Sequence, residues 1–108
     1  MIETKIYVGL NDSETKTQKF ETGKYFSLLK NICRNYQTPF SVSFSEGGYF
    51  HEDGTYTEET TLVITLIDIP EETITEIAKD ICAFFHQESV LITYNKVKML
   101  FISEKLSE

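Results

Sequence analysis

The chain has only two cysteines, two prolines and no tryptophan, and no apolar run approaches the length of a membrane helix. Two cysteines are too few for the disulfide framework of a small secreted domain. A bilayer-spanning helix needs about 20 consecutive apolar residues, so a membrane helix is excluded. The opening stretch MIETKIYVGL has no basic region followed by an apolar core. It therefore does not read as a signal peptide, and a cytoplasmic location is expected by elimination. Repeats, low-complexity tracts and linkers are also missing, and 108 residues fit one domain.

Basic residues are scarce where they would matter most for binding polyanions. Residues 37–93 carry one lysine against eleven acids, a balance of −10, while residues 1–36 stand at +2 and residues 94–108 at +1. Phosphate-backbone binding needs a basic stripe, so neither nucleic acid nor an anionic membrane is an expected partner. Enzyme signatures are missing as well. The sequence contains no Gly-rich phosphate loop, no Cys-x-x-Cys, no His-x-x-x-His and no Gly-x-Ser-x-Gly elbow. No metal site and no cofactor are expected.

What is present is a clear alternation of periods. Ile2, Thr4, Ile6, Val8 and Leu10 alternate with Glu3, Lys5, Tyr7 and Gly9, the pattern of a strand with one apolar face. Tyr25, Phe26, Leu28, Leu29, Ile32, Cys33 and Tyr36 recur at helical spacing, with Thr22 as the expected N-cap. Phe40, Val42 and Phe44 alternate with Ser41, Ser43 and Ser45, and Gly47-Gly48 reads as a bulge or bend. Asp53-Gly54 predicts a hairpin into a third strand, Tyr56 to Ile69. Pro70, Glu71 and Glu72 suit the start of a second helix that carries Ile74, Ile77, Ala78, Ile81, Phe84 and Phe85 on one face. A last strand region runs from Val90 to Ile102, interrupted at Asn95-Lys96 by a turn or a bulge. Cys33 and Cys82 fall within the helices as core thiols. The order β-α-β-β-α-β gives a two-layer, ferredoxin-like α+β sandwich with both helices on one face of an antiparallel sheet. Tyr7 and the serine row then lie on the other, open face.

Four groups of residues carry chemistry. His51-Glu52-Asp53 gathers acid/base groups in one turn, although three adjacent residues cannot easily converge on one ion. Glu46 could join His51 in a site made with other strands. Glu58 and Glu59 are adjacent in a strand and so point to opposite faces, which puts one of them on the open face as a candidate acid/base or ligand anchor near Tyr7. The segment Phe85-His86-Gln87-Glu88-Ser89 closes the second helix, and Gln87, Glu88 or Ser89 could face the sheet. Glu72, Glu76 and Asp80 form a like-charge row at i, i+4, i+8 on the outer side of that helix, a candidate patch for a basic partner.

Several short motifs in order resemble the bacterial family catalogued as domain of unknown function 3574. They are Glu3-Thr4-Lys5-Ile6-Tyr7-Val8-Gly9, Gly47-Gly48-Tyr49, Glu59 at the third strand, and Phe85-His86-Gln87-Glu88-Ser89-Val90-Leu91. This chain has Tyr49 and Phe50 where that family carries a Trp, and Glu58 where it favours an Arg. The resemblance implies a ferredoxin-like fold and a shared polar set of Tyr7, Glu59, Gln87 and Ser89. Two functions follow as expectations. One is a small acidic interaction or inhibitor module of a bacterium or mobile element, a homodimer that meets a basic protein. The other is a dimeric ferredoxin-like enzyme or small-molecule binder that uses Tyr7, Glu59 and His51 on the open sheet face.

Overall fold

The computed structural model describes residues 1–104. Strand β1 (Ile2–Gly9), helix α1 (Thr22–Asn35), strands β2 (Ser41–Phe50) and β3 (Tyr56–Ile67), helix α2 (Glu71–Phe85) and strand β4 (Leu91–Lys96) follow in that order. The strands form one antiparallel sheet in the order β2-β3-β1-β4. Even-numbered strand residues Ile6, Val8, Leu62, Ile64 and Leu66 share a single core with Leu29, Ile32 and Cys33 of α1 and Ile74, Ile77, Ile81 and Phe85 of α2. Both helices therefore cover the same face, and the fold is ferredoxin-like. Truncating a fully buried member such as Ile64 to Ala costs about 2–5 kcal/mol in cores of this kind.

The period-two and helical patterns place the elements correctly, and the differences lie at their edges. Thr22 is already helical, and Glu21 stands at the N-cap without a side-chain cap. The Thr22 hydroxyl instead accepts a hydrogen bond from Gln18 Nε2 at 3.1 Å. Gly47 and Gly48 make no bulge, because β2 stays in unbroken register with β3 from Ser41↔Thr65 to Phe50↔Tyr56. Asn95 and Lys96 do not interrupt a longer strand. They pair with Glu3 and Ile2, and β4 ends there. Asp53-Gly54 does form the hairpin turn, with Gly54 at φ 88° and the Asp53 carboxylate accepting the Thr55 N–H at 2.9 Å. Cys33 is buried and Cys82 half-buried.

One departure from a plain sandwich positions everything that follows. β1 ends at Gly9, opposite Thr61, but the β2–β3 pair runs on for a further five residues per strand to Phe50 and Tyr56. This arm extends the hairpin past the end of β1, and at the sheet edge beside it Phe44, on the helix side of β2, is 63% exposed. The molecule measures 64 × 29 × 25 Å, with a radius of gyration of 16.4 Å. A compact domain of about 100 residues has about 13 Å.

Candidate functional site

Glu59 stands where the arm leaves the sheet. Its odd number in β3 places it on the open face with Thr57, Thr61 and Val63, whereas Glu58 takes the helix side. The Glu59 carboxylate lies over Gly9, so close that a Cβ there would come within 2.5 Å of Oε1. It accepts the backbone N–H of Asn11 at 2.9 Å through Oε2. Gln87 Nε2 donates to the carbonyl of the same Asn11 at 2.7 Å. The peptide groups of Asn11 thus join the β3 carboxylate to the end of α2.

That junction is built by two local devices. The Asp12 carboxylate accepts the N–H groups of Glu14 (2.9 Å) and Thr15 (3.2 Å), an Asx turn that folds the Asn11–Lys19 connection back on itself. Those backbone bonds, with Lys19 Nζ at 3.3 Å, hold the Asp12 carboxyl below its usual 3.8 despite burial. At the end of α2, His86 adopts the left-handed conformation at φ 53°, which costs a non-glycine residue about 1–2 kcal/mol. In return its carbonyl accepts the Ser13 N–H at 3.1 Å, its ring reaches Asp12 at 3.9 Å, and Gln87 turns toward Asn11.

Two clefts flank Glu59. One, of about 340 Å³, lies between the arm residues Tyr49, His51 and Thr57, the Asn11–Ser13 turn with Lys16, and Gln87, Glu88 and Ser89. His51 Nε2 and the Thr57 hydroxyl are hydrogen-bonded at 2.7 Å, and the Tyr49 ring meets the His51 ring edge-on at 5.1 Å. The other, of about 410 Å³, is lined by Glu46, Gly47, Gly48, Tyr56, Glu58, Glu59 and Gln18, with no cationic side chain on its wall. The Tyr56 hydroxyl lies across Gly48, occupying the space where a Cβ would stand.

Of the residues singled out in the sequence, His51, Glu59, Gln87 and Ser89 line one cleft. Tyr7 is on the open face, between Val63 and Leu91, but does not line either cleft. The acidic row of α2 does not form a uniform outer face. Asp80 turns toward α1 and accepts the Tyr36 hydroxyl at 2.7 Å, which raises the phenol above its ordinary 10.0. Glu76 pairs with Lys79 at 3.6 Å, and Glu72 is exposed. Among the described residues, no group of three His, Cys, Asp or Glu side chains is placed to hold a metal ion. No helix there is long and apolar enough to cross a membrane. Asn11 was not legible as a site residue because its backbone does the work. The Asn-Asp-Ser-Glu run was the available signal.

No protein-family model matches the chain, and no curated protein does. Solved structures do. A phage SAM lyase in complex with S-methyl-5′-thioadenosine superposes with a TM-score of 0.65 at 21% identity, over 88% of this chain and 80% of that one. CutA1 from Pyrococcus horikoshii OT3, a point mutant, gives 0.56 at 13% identity, over 94% and 87%. The B. subtilis GlnK–ATP complex gives 0.54 at 14% identity, over 89% and 82%. These likenesses show the fold.

Proposed function

We propose that this chain binds S-adenosylmethionine beside Glu59 and cleaves it to release S-methyl-5′-thioadenosine. The carrying observation is the Glu59 carboxylate, seated over Gly9 and fixed by the Asn11 N–H, in a cleft that Glu46 and Glu58 share and no cation lines. S-adenosylmethionine carries a sulfonium, and a preorganised carboxylate is what such a cation requires. Tyr56, on the wall of the same cleft, offers a ring for a purine. Cleavage breaks the bond between sulfur and Cγ of the amino-acid chain; the substrate's own carboxylate oxygen forms the new bond to that carbon, closing a lactone, and sulfur keeps the electron pair of the broken bond as a neutral thioether. The reading is supported by the phage lyase, which holds that thioether, and by GlnK, which holds another adenosine derivative.

This departs from the expectation of a non-enzymatic acidic module. A basic protein partner on the outer face of α2 is the weaker reading, because Asp80 and Glu76 already have partners within the chain. The test is incubation of the purified chain with S-adenosylmethionine, with the thioether quantified by chromatography and mass detection. Wild type releases S-methyl-5′-thioadenosine, and Glu59→Gln, which keeps an acceptor for Asn11, does so about 100-fold more slowly. Calorimetry should give S-adenosylhomocysteine, which lacks the positive charge, at least about tenfold weaker binding, a difference near 1.4 kcal/mol. A chain that releases no thioether and binds neither compound refutes the proposal.

A further inference from the structure

Thr4 breaks the pattern of the strand that carries it. Ile2, Ile6 and Val8, which share its side of β1, are all aliphatic. Thr4 is only 1% exposed, and its hydroxyl has no hydrogen-bond partner among the described residues. A valine has nearly the same shape without the polar atom, so packing alone does not call for a hydroxyl here. Leaving a desolvated hydroxyl unpaired is costly. Among the described residues, no side-chain polar atom is both sealed from solvent and unpartnered. The Thr4 hydroxyl therefore opens onto the cavity of about 430 Å³ that Thr4 lines, between the β1–β4 pair and the start of α2.

That cavity has the make-up of a small-molecule site, apolar walls with a few fixed polar groups. Ile2, Ile69, Ile74 and Tyr94 form the walls. Asp68 and Glu71, both exposed, bring carboxylates to the lining, and no lysine or arginine lines it. Lys96, opposite Ile2, lies outside the lining. Asp68 is held in place by its own N–H, which donates to the Ile2 carbonyl at 2.8 Å. The N-terminus of α2 contributes about half a positive charge, which the two carboxylates outweigh.

We infer that this cavity binds a small organic amine with an apolar body and a hydroxyl at its far end. The ligand hydroxyl pairs with Thr4, the body lies between the isoleucines and Tyr94, and the ammonium meets Asp68 and Glu71. An amine satisfies the one polar group the fold leaves open and the acidic charge around it, which a purely apolar ligand does not. The site is separate from the clefts beside Glu59. It lies at the Ile2 end of β1, whereas Glu59 sits over Gly9 at the other end. The inference therefore does not rest on the proposed lyase chemistry.

Calorimetry on the full chain with three probes is the test. Tyramine carries the hydroxyl, the ring and the ammonium, phenethylamine lacks the hydroxyl, and para-ethylphenol lacks the charge. Wild type should bind tyramine about tenfold more tightly than phenethylamine and about threefold more tightly than para-ethylphenol. Thr4→Val, with its fold checked by circular dichroism, should bind tyramine and phenethylamine equally. Asp68→Asn with Glu71→Gln should bring tyramine down to the affinity of para-ethylphenol. Glu59→Gln should leave tyramine binding unchanged, which separates this site from the acidic cleft. Tyramine should also shift the methyl resonances of Ile2, Ile69 and Ile74 in wild type, a readout that needs no variant to fold. A wild-type chain that binds none of the probes at millimolar concentration overturns the inference. So does a Thr4→Val chain that keeps the preference for the hydroxyl, a loss of tyramine binding in Glu59→Gln, or methyl shifts confined to other residues.

Discussion

Substituting Gly9 by alanine tests the seating of Glu59 without touching the carboxylate itself. The new Cβ would stand 2.5 Å from Oε1, 2.6 Å from Cδ and 2.7 Å from Oε2. All three must retreat by roughly 1 Å to reach ordinary contact near 3.5 Å. They belong to the free end of a flexible side chain, so the carboxylate yields and the strand stays in place. The same retreat takes Oε2 from 2.9 Å out of hydrogen-bonding reach of the Asn11 N–H. Losing a bond to a charged group costs about 1.5–3 kcal/mol, of which rehydration of the displaced carboxylate recovers part. Alanine in place of glycine returns about 0.4–1 kcal/mol by restricting the unfolded chain. The net loss is about 1 kcal/mol, or roughly 4–8 °C in Tm for a domain of this size. On the proposed function, thioether release falls about 100-fold. Thermal unfolding of Gly9→Ala, Glu59→Ala and the double variant forms a double-mutant cycle. The penalty of Gly9→Ala should vanish once Glu59 is truncated. If Gly9→Ala is as stable as wild type in both backgrounds and turns over at the wild-type rate, the seating described here is wrong.

Two further outcomes follow from individual groups. Burial pushes the Cys33 thiol up to about 11, so it should react with a thiol reagent at neutral pH only as fast as the protein opens, while half-buried Cys82 is labelled first; fast labelling of both refutes the packing of α1. Asp12 titrates below 3.8 because the Glu14 and Thr15 N–H groups and Lys19 favour its charged form. A depressed carboxyl contributes stability that is present above the unfolded value and lost as pH falls through the folded one. Protection of the Glu14 and Thr15 amides from hydrogen exchange should therefore weaken below pH 3.8, and Asp12→Asn should remove that acid dependence.

The element order was legible because every strand and helix obeys one period. Ile6, Val8 and Leu10 alternate, and Ile74, Ile77 and Ile81 repeat at helical spacing, with little competing signal. What could not be read was which of two uses a small residue serves. Gly47-Gly48 looks like a bulge, yet Gly48 leaves room for the Tyr56 ring in an unbroken ladder. Asn95-Lys96 looks like a turn, yet both residues pair with β1, and the strand stops after them. The convergence of His51, Glu59, Gln87 and Ser89 depends on long-range register. Periodicity assigns each to a face but cannot say that the turn after β1 lies between β3 and the end of α2. Asn11 escaped because a backbone N–H and carbonyl leave no trace in residue type.

Charge shows the same limit and also how the fold resolves it. The −10 balance of residues 37–93 suggests a surface for a basic protein when the acids are simply counted. Folding divides them. Asp80 binds Tyr36, Glu76 binds Lys79, and Asp53 is committed to its own turn, where the Thr55 hydroxyl and N–H lower its pKa. Glu46, Glu58 and Glu59 are instead gathered around one cleft at the root of the arm. Glu46 and Glu58 reach it from the helix side of the arm and Glu59 from the open side, and no lysine or arginine stands on the cleft wall. On the proposed function, a small cation entering the cleft meets this acidic lining, with the Glu59 carboxylate held in place by the Asn11 N–H. The same acid excess that points to a basic macromolecule in the sequence is thus, on that proposal, divided by folding between partners within the chain and a cleft lining suited to a sulfonium nucleoside.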